Sequence, residues 1–131
     1  MDVKSAHTRL FVSDIATCAA FYRDVLKFEP VTIQVEKGYA EFEVANVRIS
    51  LFRKQEMSEI LRTSNRSPGL DTQDDVALIL TVRNLDDIYH EQRKADVEFA
   101  EPPTQITAFS LKVAYFRDPA GTLIGLFEPM M

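Results

Sequence analysis

The sequence predicts an α+β fold of two tandem β-α-β-β-β units, whose strands form a curved, cleft-bearing mixed β-sheet with helices on its outer face. Three observations predict it. The chain ends in a hairpin phrase, VAYFRDPAGTLIGLFEP from Val113 to Pro129, and an earlier hairpin, YAEFEVANVRISLF from Tyr39 to Phe52, answers it. Ile49-Ser50-Leu51-Phe52 corresponds to Ile124-Gly125-Leu126-Phe127, 75 positions on (124 − 49). Each hairpin is preceded by a strand that runs into a helix: Val12-Ser13-Asp14-Ile15 corresponds to Val82-Arg83-Asn84-Leu85, 70 positions on (82 − 12). The same supersecondary unit is therefore written twice. One such unit packs a helix on one sheet face and leaves the other face apolar, so two units are expected to pair, their free faces lining a concavity suited to a small molecule.

The elements follow in order. His7 to Val12 alternates with period two and reads as a strand. Ile15, Cys18, Ala19, Tyr22, Val25 and Leu26 recur at three and four, so a helix with Ser13 or Asp14 as N-cap runs to about Lys27. Phe28 to Gln34 is the second strand; the turn Glu36-Lys37-Gly38 leads into Tyr39 to Val44, and Ala45-Asn46 turns into Val47 to Arg53. From Lys54 to Asp75 the periodicity is lost, although Glu56 to Arg62 has the length of two helical turns. Thr63 to Gly69 is a polar, Pro/Gly-punctuated linker with the character of a mobile flap. The second unit runs Val76 to Val82 (strand), Leu85 to Lys94 (helix), Val97 to Ala100 (short strand), a Pro102-Pro103 break, Ser110 to Arg117 (strand) and Thr122 to Glu128 (strand). The chain thus reads as one domain, 1–131, of two repeats (about 5–53 and 75–129) joined by a linker at 54–74.

Composition narrows the function classes. With 131 residues and 46% hydrophobic content the chain can bury a core. A net charge of −5 with no basic run argues against nucleic acid, whose phosphates need clustered Lys or Arg. No apolar stretch approaches the ~20 residues that span a bilayer, and the N-terminus lacks a signal-peptide core. One cysteine, Cys18, on the apolar face of the first helix excludes an internal disulfide. The expectation is a soluble cytoplasmic protein with no nucleic-acid or membrane partner.

His7-Thr-Arg-Leu-Phe-Val-Ser-Asp-Ile, Phe21-Tyr-Arg-Asp-Val-Leu26, Lys94-Ala-Asp-Val-Glu-Phe-Ala-Glu-Pro-Pro103 and Tyr115-Phe-Arg-Asp-Pro-Ala-Gly-Thr-Leu-Ile-Gly-Leu-Phe-Glu-Pro129 occur in that order. Together they resemble the vicinal oxygen chelate superfamily, which includes glyoxalase I, bleomycin-resistance proteins, fosfomycin-resistance transferases and extradiol dioxygenases. The resemblance runs from about His7 to Pro129. It implies that metal ligands, where present, come from matching strand positions of the two halves: His7 and Ala77 on the first strands, Ser50 and Gly125 on the last. Metal-using members typically carry a Glu at the position of Gly125. Only His7 of these is a firm donor for a divalent metal, and Glu128, an odd number of residues beyond Gly125, points to the other face. The metal-ligand positions are mostly lost, and no metal or other cofactor is expected. The resemblance also implies a homodimer, which the open sheet edges of such units favour physically.

Strand parity gives the expected ligand-binding residues. His7, Arg9, Ser50, Ala77 and Gly125 form the pocket floor, and Phe11, Phe52, Ile79 and Phe127 its walls, with no catalytic residue assigned. Arg9 has two readings: pairing with Glu41 or Glu43, or contact with a ligand carboxylate or phosphate. Glu41 and Glu43 read either as a solvated face or as paired carboxylates, and His90 as a surface residue. The expected function is metal-independent binding of a small organic ligand, of the drug- or metabolite-sequestering kind. A metal-dependent lyase, isomerase or dioxygenase with relocated ligands, such as His7 with Glu41 or Glu43, is the enzymatic alternative; a ligand-free regulatory or interaction module is the third.

Overall fold

Strand pairing repeats between the two units, but the hairpins differ by one residue: Ser50 pairs with Glu41, whereas Gly125 pairs with Tyr115, 74 positions on from Glu41 (115 − 41) rather than 75. The computed structural model describes residues 1–61 and 76–130, and the chain divides into two compact units, Met1–Thr72 and Gln73–Met131. The first contains β1 (Thr8–Val12), α1 (Ile15–Ala20), β2 (Glu29–Gln34), β3 (Tyr39–Val44), β4 (Val47–Arg53) and α2 (Lys54–Leu61). The second contains β5 (Ala77–Thr81), α3 (Leu85–Lys94), β6 (Thr104–Ile106), β7 (Leu111–Arg117) and β8 (Leu123–Pro129). Each unit holds a four-stranded mixed sheet, in the orders β1-β4-β3-β2 and β5-β8-β7-β6, with the first strand parallel to the last. Arg9 pairs with Ser50 as Ile79 pairs with Gly125, so the offsets of 70 and 75 hold residue for residue at that pair.

In the first unit the inward alternation packs Leu10, Val12, Ala40, Phe42, Ile49 and Leu51 on the helix side, where Ile15, Cys18, Ala19 and Tyr22 are also buried. Asp14 caps α1, accepting from the Thr17 backbone N–H at 3.1 Å and from its hydroxyl at 2.7 Å. The helix does not stay α-helical to Lys27: Phe21–Val25 widens into a π turn, which carries the fully buried Tyr22 ring to within 5.7 Å of Phe28 and 5.9 Å of Phe42.

The second unit repeats the plan with different chemistry at the helix start. Asn84 has φ 59° and makes no side-chain cap; Glu128 from β8 accepts from the Asn84 and Leu85 backbone N–H groups at 2.8 and 3.3 Å instead. Glu128 thus faces the helix side, as its odd spacing from Gly125 predicts.

Repetition extends to a turn that neither hairpin phrase contains. The single-turn helices Val35–Lys37 and Thr107–Phe109 each end on a left-handed residue, Gly38 (φ 69°) and Ser110 (φ 52°). Their carbonyls accept from Arg53 N and Met130 N, at 2.8 Å in both units. Gly38 also needs its missing side chain, since a Cβ there would lie 3.0 Å from Arg53 Cβ.

One expectation is corrected and one is extended. Val97 to Ala100 is not a strand: Phe99 makes only an isolated bridge to Phe116, and the edge strand is Thr104–Ile106. Pro102 and Pro103 lack the N–H a ladder needs, so pairing begins on the first residue after them. The two helical turns expected over Glu56 to Arg62 are present and begin earlier, because α2 continues directly from β4 over Lys54–Leu61. The linker Thr63 to Gly69 lies outside the described residues.

Candidate functional site

The same alternation that buries Leu10 and Val12 turns Arg9 and Phe11 to the face of the first sheet that α1 does not cover. Register sets two neighbouring rows across this face: Arg9, Ser50, Glu41 and Thr32, then Phe11, Phe52, Tyr39 and Gln34. Ser50 is fully buried beneath Arg9, whose Nε donates to Ser50 Oγ at 3.4 Å. The guanidinium carbon lies 5.0 Å from the Phe52 ring centre and 5.8 Å from that of Tyr39, a cation over two aromatic faces. Phe11, next to Phe52, keeps 44% of its surface exposed. His7 precedes β1 and is exposed.

Pairing of Arg9 with Glu41 or Glu43, one of its two expected roles, does not occur. The Tyr39 hydroxyl donates to Glu41 Oε1 at 2.6 Å and Arg48 Nη1 to Oε2 at 2.6 Å, so both oxygens of Glu41 are already engaged. Tyr39 shares the parity of Glu41 and Glu43, and alternation along β3 marks it for this face as plainly as it marks them. These bonds, that from Tyr39 first and the Arg48 bond and charge after it, hold the Glu41 carboxyl below its ordinary range. The Tyr39 phenol is raised, chiefly because it donates to Glu41. A depressed carboxylate contributes stability above its unfolded value of about 4.3, and that contribution is lost as pH falls through the lower folded value. Glu41→Gln should therefore be less stable at pH 7 and lose less stability between pH 7 and 3 than the native chain, read from chemical-denaturation midpoints. Parallel pH profiles would refute the role given to these two bonds.

The uncovered face of the second sheet has a different character. Ala77 is exposed and Ile79 is 44% exposed, while Gly125 is buried between Ile79 and Tyr115 in the register. A Cβ on Gly125 would lie 2.8 Å from Tyr115 Cε1, 2.9 Å from Ile79 Cδ1 and 3.0 Å from Phe127 Cε1. Glycine is what lets these side chains close over the strand. Tyr115 and Phe127 meet edge to face at 5.9 Å and 89°. They help line a cavity of about 460 Å³ with Ile106, Phe109, Leu111 and Val113, and no charged side chain borders it. Sequence reasoning placed Phe127 here but passed over Tyr115, although Tyr115 lies opposite Gly125 by the pairing of the hairpin itself.

Arg9, Phe11, Ser50 and Phe52 therefore lie together on one uncovered face, and Ile79, Gly125 and Phe127 on the other. The donor set at the matching strand positions does not fit a metal centre, which uses about three or four protein ligands. His7 supplies an imidazole, Ser50 a neutral hydroxyl committed to Arg9, Ala77 a methyl group, and Gly125 nothing. In the relocated set of His7 with Glu41 or Glu43, Glu41 is held by Tyr39 and Arg48. Among the described residues no three His, Cys, Asp or Glu side chains gather closely enough to share an ion.

Two sheets of order 1-4-3-2, each from a β-α-β-β-β unit and each with one face that α1 or α3 does not cover, define the class of protein. The chain belongs to the glyoxalase/bleomycin resistance protein/dioxygenase superfamily, whose family model matches residues 4–126. It is 31% identical over 124 residues to virulence protein STM3117 of Salmonella typhimurium, covering 93% of this chain and 81% of that one. It is 28% identical over 126 residues to the uncharacterized protein YraH of Bacillus subtilis, covering 96% and 98%. A glyoxalase/bleomycin resistance protein/dioxygenase family enzyme from Burkholderia phytofirmans shares the fold with a TM-score of 0.79 at 16% identity, over 95% of this chain and 97% of that one. No described helix is long and apolar enough to cross a membrane.

Proposed function

We propose that this chain is a metal-independent binder of a small organic molecule, acting by sequestration, and that residues 1–131 work as one functional domain in a cytoplasmic homodimer. The observation that supports this most is Gly125: where metal-using relatives of this fold would raise a carboxylate, Tyr115, Ile79 and Phe127 occupy the space and make an apolar surface. Contacts to the ligand are assigned to His7, Arg9, Phe11, Ser50 and Phe52 on one uncovered face, and to Ala77, Ile79, Gly125 and Phe127 on the other. Exposed Phe11 and Ile79 also favour self-association over a solvated monomer, which sedimentation at micromolar concentration measures.

The test is metal content after exhaustive dialysis against zinc, nickel, manganese and iron, followed by thermal unfolding across a panel of metals and small organic compounds. A ligand at ~100 times its Kd stabilises by about 2.7 kcal/mol, well within detection. The expected result is no retained metal and a shift with some organic compounds. Stoichiometric retained metal would instead support a lyase, isomerase or dioxygenase. A panel with no effect at all would leave a ligand-free interaction module.

A further inference from the structure

We infer that the uncovered face of the first unit is a seat for the carboxylate of a small organic monoanion, with Arg9 as the anion contact and Phe11 beside it for the apolar part of the ligand. The inference rests on the small-molecule reading above and names the ligand class for one of its faces. Its first support is charge. In a chain with 20 acidic and 15 basic residues, the guanidinium of Arg9 on β1 makes no ion pair among the described residues. Glu41, in the same row one strand beyond Ser50, is taken by Tyr39 and Arg48 and does not neutralise Arg9.

The second support is geometry. Arg9 does not wave freely: Nε is tied to Ser50 Oγ, and the guanidinium is held over Phe52 and Tyr39. Those contacts claim few of its N–H donors and leave the rest for a planar two-oxygen acceptor, the geometry guanidinium matches best. Holding the cation in place before binding reduces the ordering cost of the complex. Half-exposed Phe11 sits in the neighbouring row next to Phe52, so a ligand whose carboxylate meets Arg9 has an aromatic surface alongside for its hydrocarbon or ring. The Glu41 carboxylate in the same row disfavours a second negative charge, which selects a carboxylate over a dianionic phosphate.

Titration of the full chain at low salt with benzoate, phenyl phosphate and benzamide, followed by amide and Arg Nε–H NMR shifts, tests this. The expected order is benzoate tightest, with shifts at Arg9, Ser50 and Phe52. Arg9→Met, which keeps the packing stem but not the charge, should weaken benzoate tenfold or more with its unfolding temperature little changed. Arg9→Lys should recover only part of the loss, because an ammonium lacks the planar fork. Benzamide binding as tightly as benzoate, or benzoate binding unchanged in Arg9→Met, would overturn the anion seat and leave small-molecule binding standing. Tighter binding of phenyl phosphate would overturn the monoanion assignment. If all three probes fail while other compounds raise the unfolding temperature, the seat alone is refuted; if nothing in either experiment binds, the proposed function falls with it.

Discussion

Gly125→Glu is expected to destabilise the second unit without creating a metal site. The first atom of the new side chain already lies 2.8 Å from Tyr115 Cε1 and 2.9 Å from Ile79 Cδ1, and ring carbons of an edge-to-face pair cannot give way like the tip of a lysine. Overpacking of this kind costs about 1 to 3 kcal/mol. A carboxylate pressed among apolar side chains with no cation on the cavity wall adds a desolvation cost, bringing the loss to roughly 3 kcal/mol or more. For a chain of this length that is a fall of about 10 °C in Tm. Gly125→Ala, which adds the Cβ alone, should lose the overpacking part only, about 1 to 3 kcal/mol. Zinc and nickel affinity should stay weak, because Ala77 still offers no donor and Ser50 only a committed hydroxyl. A variant that unfolds at the native temperature and gains submicromolar zinc affinity would refute both the packing and the reading of this position.

The consequence of Gly125 was only half legible in the sequence. The offset between Ile49-Ser50-Leu51-Phe52 and Ile124-Gly125-Leu126-Phe127 located it, and strand pairing made Ile79 and Tyr115 its neighbours. That their side chains close over it depends on rotamers, which no spacing encodes. Arg9 is a similar case. Period two assigned it to the uncovered face, but it could not show that Glu41 has other donors within reach, Tyr39 and Arg48, and that Arg9 lies over Phe52 and Tyr39 instead. The missed edge strand had a local cause: Val97 to Ala100 carries strand-forming residues, while the two prolines beside it decide where a ladder can begin. The capping of α3 by Glu128 joins residues 44 apart in sequence, beyond the reach of any local rule.

The division of labour between sheet faces has its sharpest consequence at Phe42. Its neighbours in β3, Glu41 and Glu43, share the face of Arg9, while Phe42 is fully buried on the helix side with its ring 5.9 Å from that of Tyr22. Phe42→Ala removes an aromatic ring from a packed core and should cost about 3 to 5 kcal/mol, visible as a fall on the order of 10 °C or more in unfolding temperature. Measured well below that temperature, benzoate affinity should be unchanged, because side chains of opposite parity do not meet through the sheet. Arg9→Met is expected to give the reverse: weaker benzoate, little change in unfolding. If Phe42→Ala instead weakened benzoate as strongly as it destabilised the fold, the two faces of β3 would be coupled, and the anion seat would owe its geometry to the core beneath it rather than to Ser50, Phe52 and Tyr39.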